Sequence, residues 1–370
     1  MPSGIIDPDP MARLRALQPG CACDALEGAR WGALLTPPAP NRPPGAEDGL
    51  RLVLLGSFWI GQAALQAVLA YLQRHPGRAR LVGVVTDDPV SPQARISLRK
   101  RAWALMPEAE RQEVKLALVG TALRAGVLVY TGEVKTAGFR RALAAWRPDA
   151  IITCGFGQVL DAAILDAAPY GAYNCHPTDL ANGHGRGPAP WDDMTARGVT
   201  HTVWSVHRMT EVVDAGPIIG QTPPINVADA QGRLIPDPRA FFYKVLPPVG
   251  WMVLRTLDAL VRRRDMGLPG PLQSVELDAT MPPALRRRLL QPVAPDWRDA
   301  PVPTPGQEEF DALRSEAIPP GLCRRRGRLS PNRRFGAASS RTGGTLRPAP
   351  ARGVVRPRRR GELPKREGQG

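Results

Sequence analysis

Short apolar runs separated by stretches of helical period set the strongest limit on how this chain folds. Residues 51–55, 81–86, 126–130 and 150–154 are apolar runs of strand length, and residues 60–74 and 136–146 carry helical spacing. Two parallel strands can be joined only by a crossover, and a helical crossover must pack on a sheet face, so this alternation implies a mainly parallel sheet covered on both sides. Residues 200–207 alternate Thr202, Trp204 and Val206 against Val203 and Ser205 and read as a later strand. Residues 217–227 are apolar but interrupted by Pro223-Pro224, which suits an edge strand, and residues 241–264 are helical with a break at Pro247-Pro248. The expected fold class is α/β: a Rossmann-like, mainly parallel sheet flanked by helices, with irregular N- and C-terminal extensions.

The two ends differ from the middle. Residues 1–49 contain Pro37-Pro38-Ala39-Pro40 and Pro43-Pro44-Gly45 and read as a Pro-rich extension. Residues 50–268 hold the alternating pattern, and 269–320 read as a linker or partly ordered extension. Residues 321–370 carry 15 Lys and Arg against two acidic residues, so nearly all of the formal charge of +15 belongs to this segment. With Arg324-Arg325-Arg326 and Arg358-Arg359-Arg360 set among Gly, Pro and Ser, the tail has too little apolar surface to offset its ordering entropy. It reads as a disordered, solvated segment, as a nucleic-acid contact through phosphates, or as the product of a shifted reading frame.

The candidate chemistry lies between Tyr173 and Gly216. Asn174 and His176 are two residues apart and so share one face of a strand, which Pro177 then ends. Open α/β sheets build their sites at such strand ends. Asp214 sits in the turn Val213-Asp214-Ala215-Gly216. An amide, an imidazole and a carboxylate can act together on one carbonyl carbon. Cys175, between the first two, should face the other side of the strand and pack.

The segments Asn174-Cys175-His176-Pro177, Gly185-Arg186-Gly187-Pro188-Ala189-Pro190 and Asp214-Ala215-Gly216 resemble the formyltransferase family that uses 10-formyltetrahydrofolate, which includes methionyl-tRNA and glycinamide ribonucleotide formyltransferases. The resemblance covers residues 51–225 and includes Leu52 to Ser57 as first strand and turn. The resemblance implies a catalytic triad of Asn174, His176 and Asp214. It further implies a folate pocket wrapped by Phe156, Gly157, Gln158, Val159 and Leu160, and closed by Thr210, Glu211, Val212 and Val213. Gly56, Ser57 and Arg186 are the candidate acceptor contacts, with Arg186 read equally as an anion ligand or a solvated loop charge. Departures follow His176-Pro177, where Thr178-Asp179-Leu180-Ala181 replaces the usual Ser-Leu-Leu-Pro and the loop to Arg186 is about two residues longer. These put the acceptor, more than the reaction, in question.

Formyl transfer to an amine passes through a tetrahedral intermediate with charge on the old carbonyl oxygen, and each donor aimed at that oxygen contributes about 3–4 kcal/mol. Asn174 and His176 can both donate; Asp214 can hold or charge the imidazole and, directly or through water, take the proton the amine loses. The expected function is formyl transfer to a small-molecule primary amine, such as an amino sugar or hydroxylated amino acid. The alternatives are hydrolysis of the same folate, or an inactive member that binds nucleic acid through its tail. His184, His201 and His207 fit no zinc spacing, so no metal is expected, and His201 and His207 read as strand-flanking residues. The lack of Gly-x-Gly-x-x-Gly argues against a nicotinamide site, and Gln62 stands where a phosphate loop needs Lys. Five cysteines in no paired pattern suit a reducing compartment, and no apolar run reaches the ~18 residues of a membrane span, so the expected setting is cytoplasmic with no membrane partner. A phosphate-binding tail predicts retention on immobilised RNA that weakens steeply between 50 and 200 mM salt and vanishes for a chain ending at Pro320. Equal retention of both chains contradicts it.

Overall fold

A computed structural model describes residues 20–28, 32–39, 49–87, 107–187, 189–299 and 301–314. The Arg-rich tail, Cys323 and most of the Pro-rich stretch, residues 40–45, lie outside the described residues. The first half runs β1 (Ala22–Asp24), β2 (Gly32–Thr36), β3 (Leu50–Gly56), α1 (Phe58–Arg74), β4 (Ala79–Thr86), α2 (Glu108–Arg124), β5 (Val129–Gly132), α3 (Ala137–Trp146), β6 (Ala150–Cys154) and α4 (Ala162–Leu165). The second half runs β7 (Ala172–His176), α5 (Pro190–Arg197), β8 (His201–Thr202), β9 (Ser205–Arg208), β10 (Ile218–Gln221), β11 (Ile225–Asn226), α6 (Pro238–Val245), α7 (Pro247–Asp265), α8 (Pro283–Leu290) and α9 (Gln307–Arg314).

Among the described residues, the main sheet has the order β1-β2-β5-β4-β3-β6-β7-β9-β10. Its centre, β5-β4-β3-β6-β7, is parallel, while β1, β2, β9 and β10 add antiparallel edges. The order reverses between β3 and β6, so the loops after these strands diverge and leave a crevice at their C-terminal ends. Period-2 alternation divides the core into two layers. Leu52 and Leu54 pack with α1 and α7, and Val53 and Leu55 face the other way toward Phe139 and Leu143 of α3.

Several elements depart from the sequence reading. Part of the segment read as an N-terminal extension supplies β1 and β2, because Ala33 and Leu35 bury one face of β2 while β5 offers it an open edge. The single strand expected over 200–207 is two: β8 pairs with β11 in a separate sheet and β9 joins β7. The break lies beside Trp204, whose indole N–H donates to Val245 O at 2.8 Å and draws the chain between the sheets. Pro223-Pro224 likewise separates β10 from β11. Within the segment read as a linker, Phe310 and Leu313 of α9 are buried, and Arg74 stacks 4.0 Å from the Phe310 ring. No helix among the described residues is long and apolar enough to cross a membrane.

The turn from β3 into α1 depends on two glycines. A Cβ on Gly61 would lie 2.6 Å from the backbone carbon of Gly56, and one on Gly56 would lie 2.9 Å from Gly61 Cα. Strand and helix therefore meet backbone to backbone, where neither side can yield as a flexible side chain does. Alanine is the better helix former by about 1 kcal/mol, yet the overlap reverses the sign. Gly61→Ala is expected to destabilise the protein by about 1–3 kcal/mol, measured by urea or thermal unfolding. An unchanged or raised midpoint contradicts this packing.

Candidate active site

Parallel β6 and β7 end level with one another, and β9 runs antiparallel against β7 with Asn174 opposite His207 and His176 opposite Ser205. Asn174 and His176 thus emerge on one face, while Tyr173 and Cys175 bury on the other with α1 and α7. The turn after β9 returns Asp214 to the same place. Its backbone is left-handed, φ 51°, a conformation that Asp tolerates better than most side chains.

The Asp214 carboxylate is the hub. One oxygen accepts from Gly187 N–H at 2.8 Å and lies 3.3 Å from His176 Nε2. The other accepts from Asn174 Nδ2 at 3.2 Å and lies 3.4 Å from His207 Nε2. Gly187 also places its carbonyl 3.1 Å from His176 Nε2, and its φ of 91° lets one residue turn both its N–H and its C=O toward the centre. Since His176 Nε2 faces two acceptors, it carries the hydrogen, and the neutral ring accepts at Nδ1 from the Thr178 hydroxyl at 2.8 Å.

Burial lowers the His176 pKa below its usual 6.5, against the opposing pull of the Asp214 charge and the Gly187 carbonyl. Burial works to raise the Asp214 pKa, but the hydrogen bond with His207, the charge of His176 and the Gly187 N–H prevail and hold it at about 2. At neutral pH the centre is therefore a carboxylate beside an uncharged imidazole.

These groups open onto a cavity of about 500 Å³. Asn174, His176 and Asp214 line it together, as do Phe156, Gly157, Gln158, Val159, Leu160, Thr210 and Val213. Glu211 and Val212 do not: Glu211 accepts from Ala162 N–H at 3.3 Å, and Val212 projects outward at 66% exposure. The three candidate acceptor contacts also lie off the wall. Gly56 is taken up by its contact with Gly61, and Arg186 is exposed. Ser57 is fully buried, with its hydroxyl donating to Asp87.

Two residues escaped the sequence reading. His207 is a member of the polar cluster, 2% exposed, with Nε2 3.2 Å from Asn174 Nδ2. Its position one strand away from Asn174 was set by a register that sequence spacing does not reveal. Asp87, fully buried at the end of β4, accepts from Gly157 N–H at 2.8 Å and so ties the 155–160 loop to the first turn. Its place after the apolar run 81–86 was the available signal.

His176 is expected to titrate with a midpoint below 6.5, read from its ring-proton NMR shifts between pH 4 and 8. A midpoint at or above 6.5 contradicts the buried neutral imidazole. Asp214 gives a linkage of the same sign at lower pH: its lowered carboxyl pKa stabilises the fold above about pH 4, an increment lost as pH falls toward about 2. Asp214→Asn should remove the part of the acid-unfolding slope that lies in that window.

A family model described as formyl transferase matches residues 53–246. A methionyl-tRNA formyltransferase of Roseiflexus sp. (strain RS-1) is 33% identical over 216 residues, 58% of this chain and 57% of that protein. A methionyl-tRNA formyltransferase of Geobacillus thermodenitrificans (strain NG80-2) is 32% identical over 175 residues, 46% and 47% respectively. The chain spans about half the length of these relatives. Glycinamide ribonucleotide transformylase 1 from Symbiobacterium toebii overlays with a TM-score of 0.41 and 22% identity, covering 60% of this chain and 90% of that one. The family match takes in just over half of the chain, from β3 through the β7 and Asp214 segments to the end of α6, and by it this chain belongs to the formyl transferase family.

Proposed function

We propose that this chain transfers a formyl group from 10-formyltetrahydrofolate to the primary amine of a small molecule. The observation that carries the reading is the convergence of Asn174, His176 and Asp214 on one cavity. The cavity suits the donor in size and chemistry: about 500 Å³ lies within the usual range of small-molecule sites, and Phe156, Val159, Leu160, Met209 and Val213 offer apolar wall. Among the described residues, the N–H groups of Val159 and Leu160 make no hydrogen bond, which leaves them for the edge of a flat heterocycle.

The residues divide the work as follows. Asn174 Nδ2 and His176 Nε2–H donate to the formyl oxygen and stabilise the charge that develops there. The amine nitrogen bonds to the formyl carbon, and the carbon–nitrogen bond to the folate breaks. One proton leaves the amine and one is delivered to the departing nitrogen, with no net oxidation or reduction. A carboxylate held at about 2 is too weak a base to retain that proton. Asp214 instead stabilises positive charge on the amine as the bond forms, and the proton passes through water to the departing nitrogen. His207, bonded to Asn174 and beside Asp214, orients both.

The methionyl-tRNA relatives favour a second reading, in which the amine belongs to an aminoacyl-tRNA and residues 321–370 meet its phosphates. Competition between a small amine and charged tRNA for the same donor separates the two.

Asn174→Ala, His176→Ala and Asp214→Asn are each expected to lower kcat by 10²–10³-fold while the circular dichroism spectrum is kept. Variants with wild-type turnover contradict the assignment.

A further inference from the structure

We propose that the acceptor is a small hydrophobic primary amine, whose alkyl or aryl group fills an aromatic chamber of the cavity opposite the folate loops. This rests on the formyl-transfer reading above. The walls of the cavity sort between the two core layers. Phe156, Leu160 and Met209 belong with the layer under α3 and α4, while Phe58, Ile60 and Trp191 belong with the layer under α1 and α7, with Phe242 packed against it. Asn174, His176, His207 and Asp214 line the same cavity as both sets. With the donor held by the first set, the second set is the ground an attacking amine must cross.

That ground is aromatic and built. Phe58 and Phe242 meet edge to face at 5.5 Å and Phe242 and Phe241 at 5.4 Å, while Phe241 and Trp191 lie tilted at 6.2 Å. Pro190 and Pro238, each opening a helix, complete the wall. Phe58 and Trp191 are already 3% and 8% exposed, so their rings are held by packing and lose little freedom when a ligand arrives. A hydroxyl-rich acceptor set against these ring faces would leave its hydroxyls unpaired at a cost, whereas an apolar group gains from burial and ring contact. The amine itself is drawn in by charge, since the two carboxylates on the cavity wall are Asp192 and Asp214. This departs from the amino sugar or hydroxylated amino acid expected from sequence.

The test uses the full chain, 10-formyltetrahydrofolate and three amines: 2-phenylethylamine, ethanolamine and glucosamine. The proposal predicts a kcat/KM for 2-phenylethylamine at least tenfold above the other two. Trp191→Ala and Phe242→Ala should each raise the KM for that amine about fivefold or more with the donor KM unchanged, and Trp191→Phe should retain most of the affinity. Equal or faster transfer to ethanolamine or glucosamine overturns the assignment, as does a Trp191→Ala effect confined to the donor KM. Donor loss at one rate with and without amine contradicts transfer itself, and the acceptor assignment with it.

Discussion

Because β9 pairs antiparallel with β7, with Asn174 opposite His207 and His176 opposite Ser205, the centre receives an amide and two imidazoles on one side of the sheet. A slip of one residue would turn His207 to the far face and bring Val206 or Arg208 opposite Asn174. The same register fixes where the turn after β9 delivers Asp214. Asn174, His176, His207 and Gly187 all touch that carboxylate, so its position depends on pairing made several residues away.

The electrostatics follow from this crowding. A lone buried carboxylate would protonate, yet Asp214 stays ionised because hydrogen-bond donors surround it. A buried imidazole with no carboxylate would be driven further from its charged form than His176 is. His176 helps keep Asp214 ionised, burial keeps His176 uncharged against the pull of that carboxylate, and the pair holds a negative charge and a neutral donor ready before any substrate binds. That arrangement suits stabilising charge in transit better than storing a proton.

The parallel core was legible because its strands are buried on both faces: the runs at 51–55, 81–86 and 150–154 are near-continuously apolar, with only Arg51, Thr86 and Thr153 polar. Asn174 and His176 were legible as neighbours because spacing along one strand is a local property, whereas Asp214, 38 residues beyond His176, was joined to them by the family resemblance. His207 was not, since its partner Asn174 lies 33 residues away and only the fold brings them together. The aromatic chamber was equally hidden: Phe58, Trp191 and Phe242 come from three helices and look like ordinary core residues until their shared cavity is seen. Gly56 and Ser57 lay in a motif-rich turn but serve the backbone contact with Gly61 and the bond to Asp87. β1 and β2 escaped notice because strands of three and five residues beside a Pro-rich stretch carry little periodicity.

Movement of a formyl group intact from folate to amine in this cavity leaves a signature that carbon-13 reads directly. Supplying 10-formyltetrahydrofolate labelled with carbon-13 in the formyl group, together with a primary amine, allows the label to be followed by NMR. A new formamide signal on the amine is expected to grow as the donor signal falls and to be absent with His176→Ala. Label released as free formate, at a rate indifferent to the amine, would contradict it.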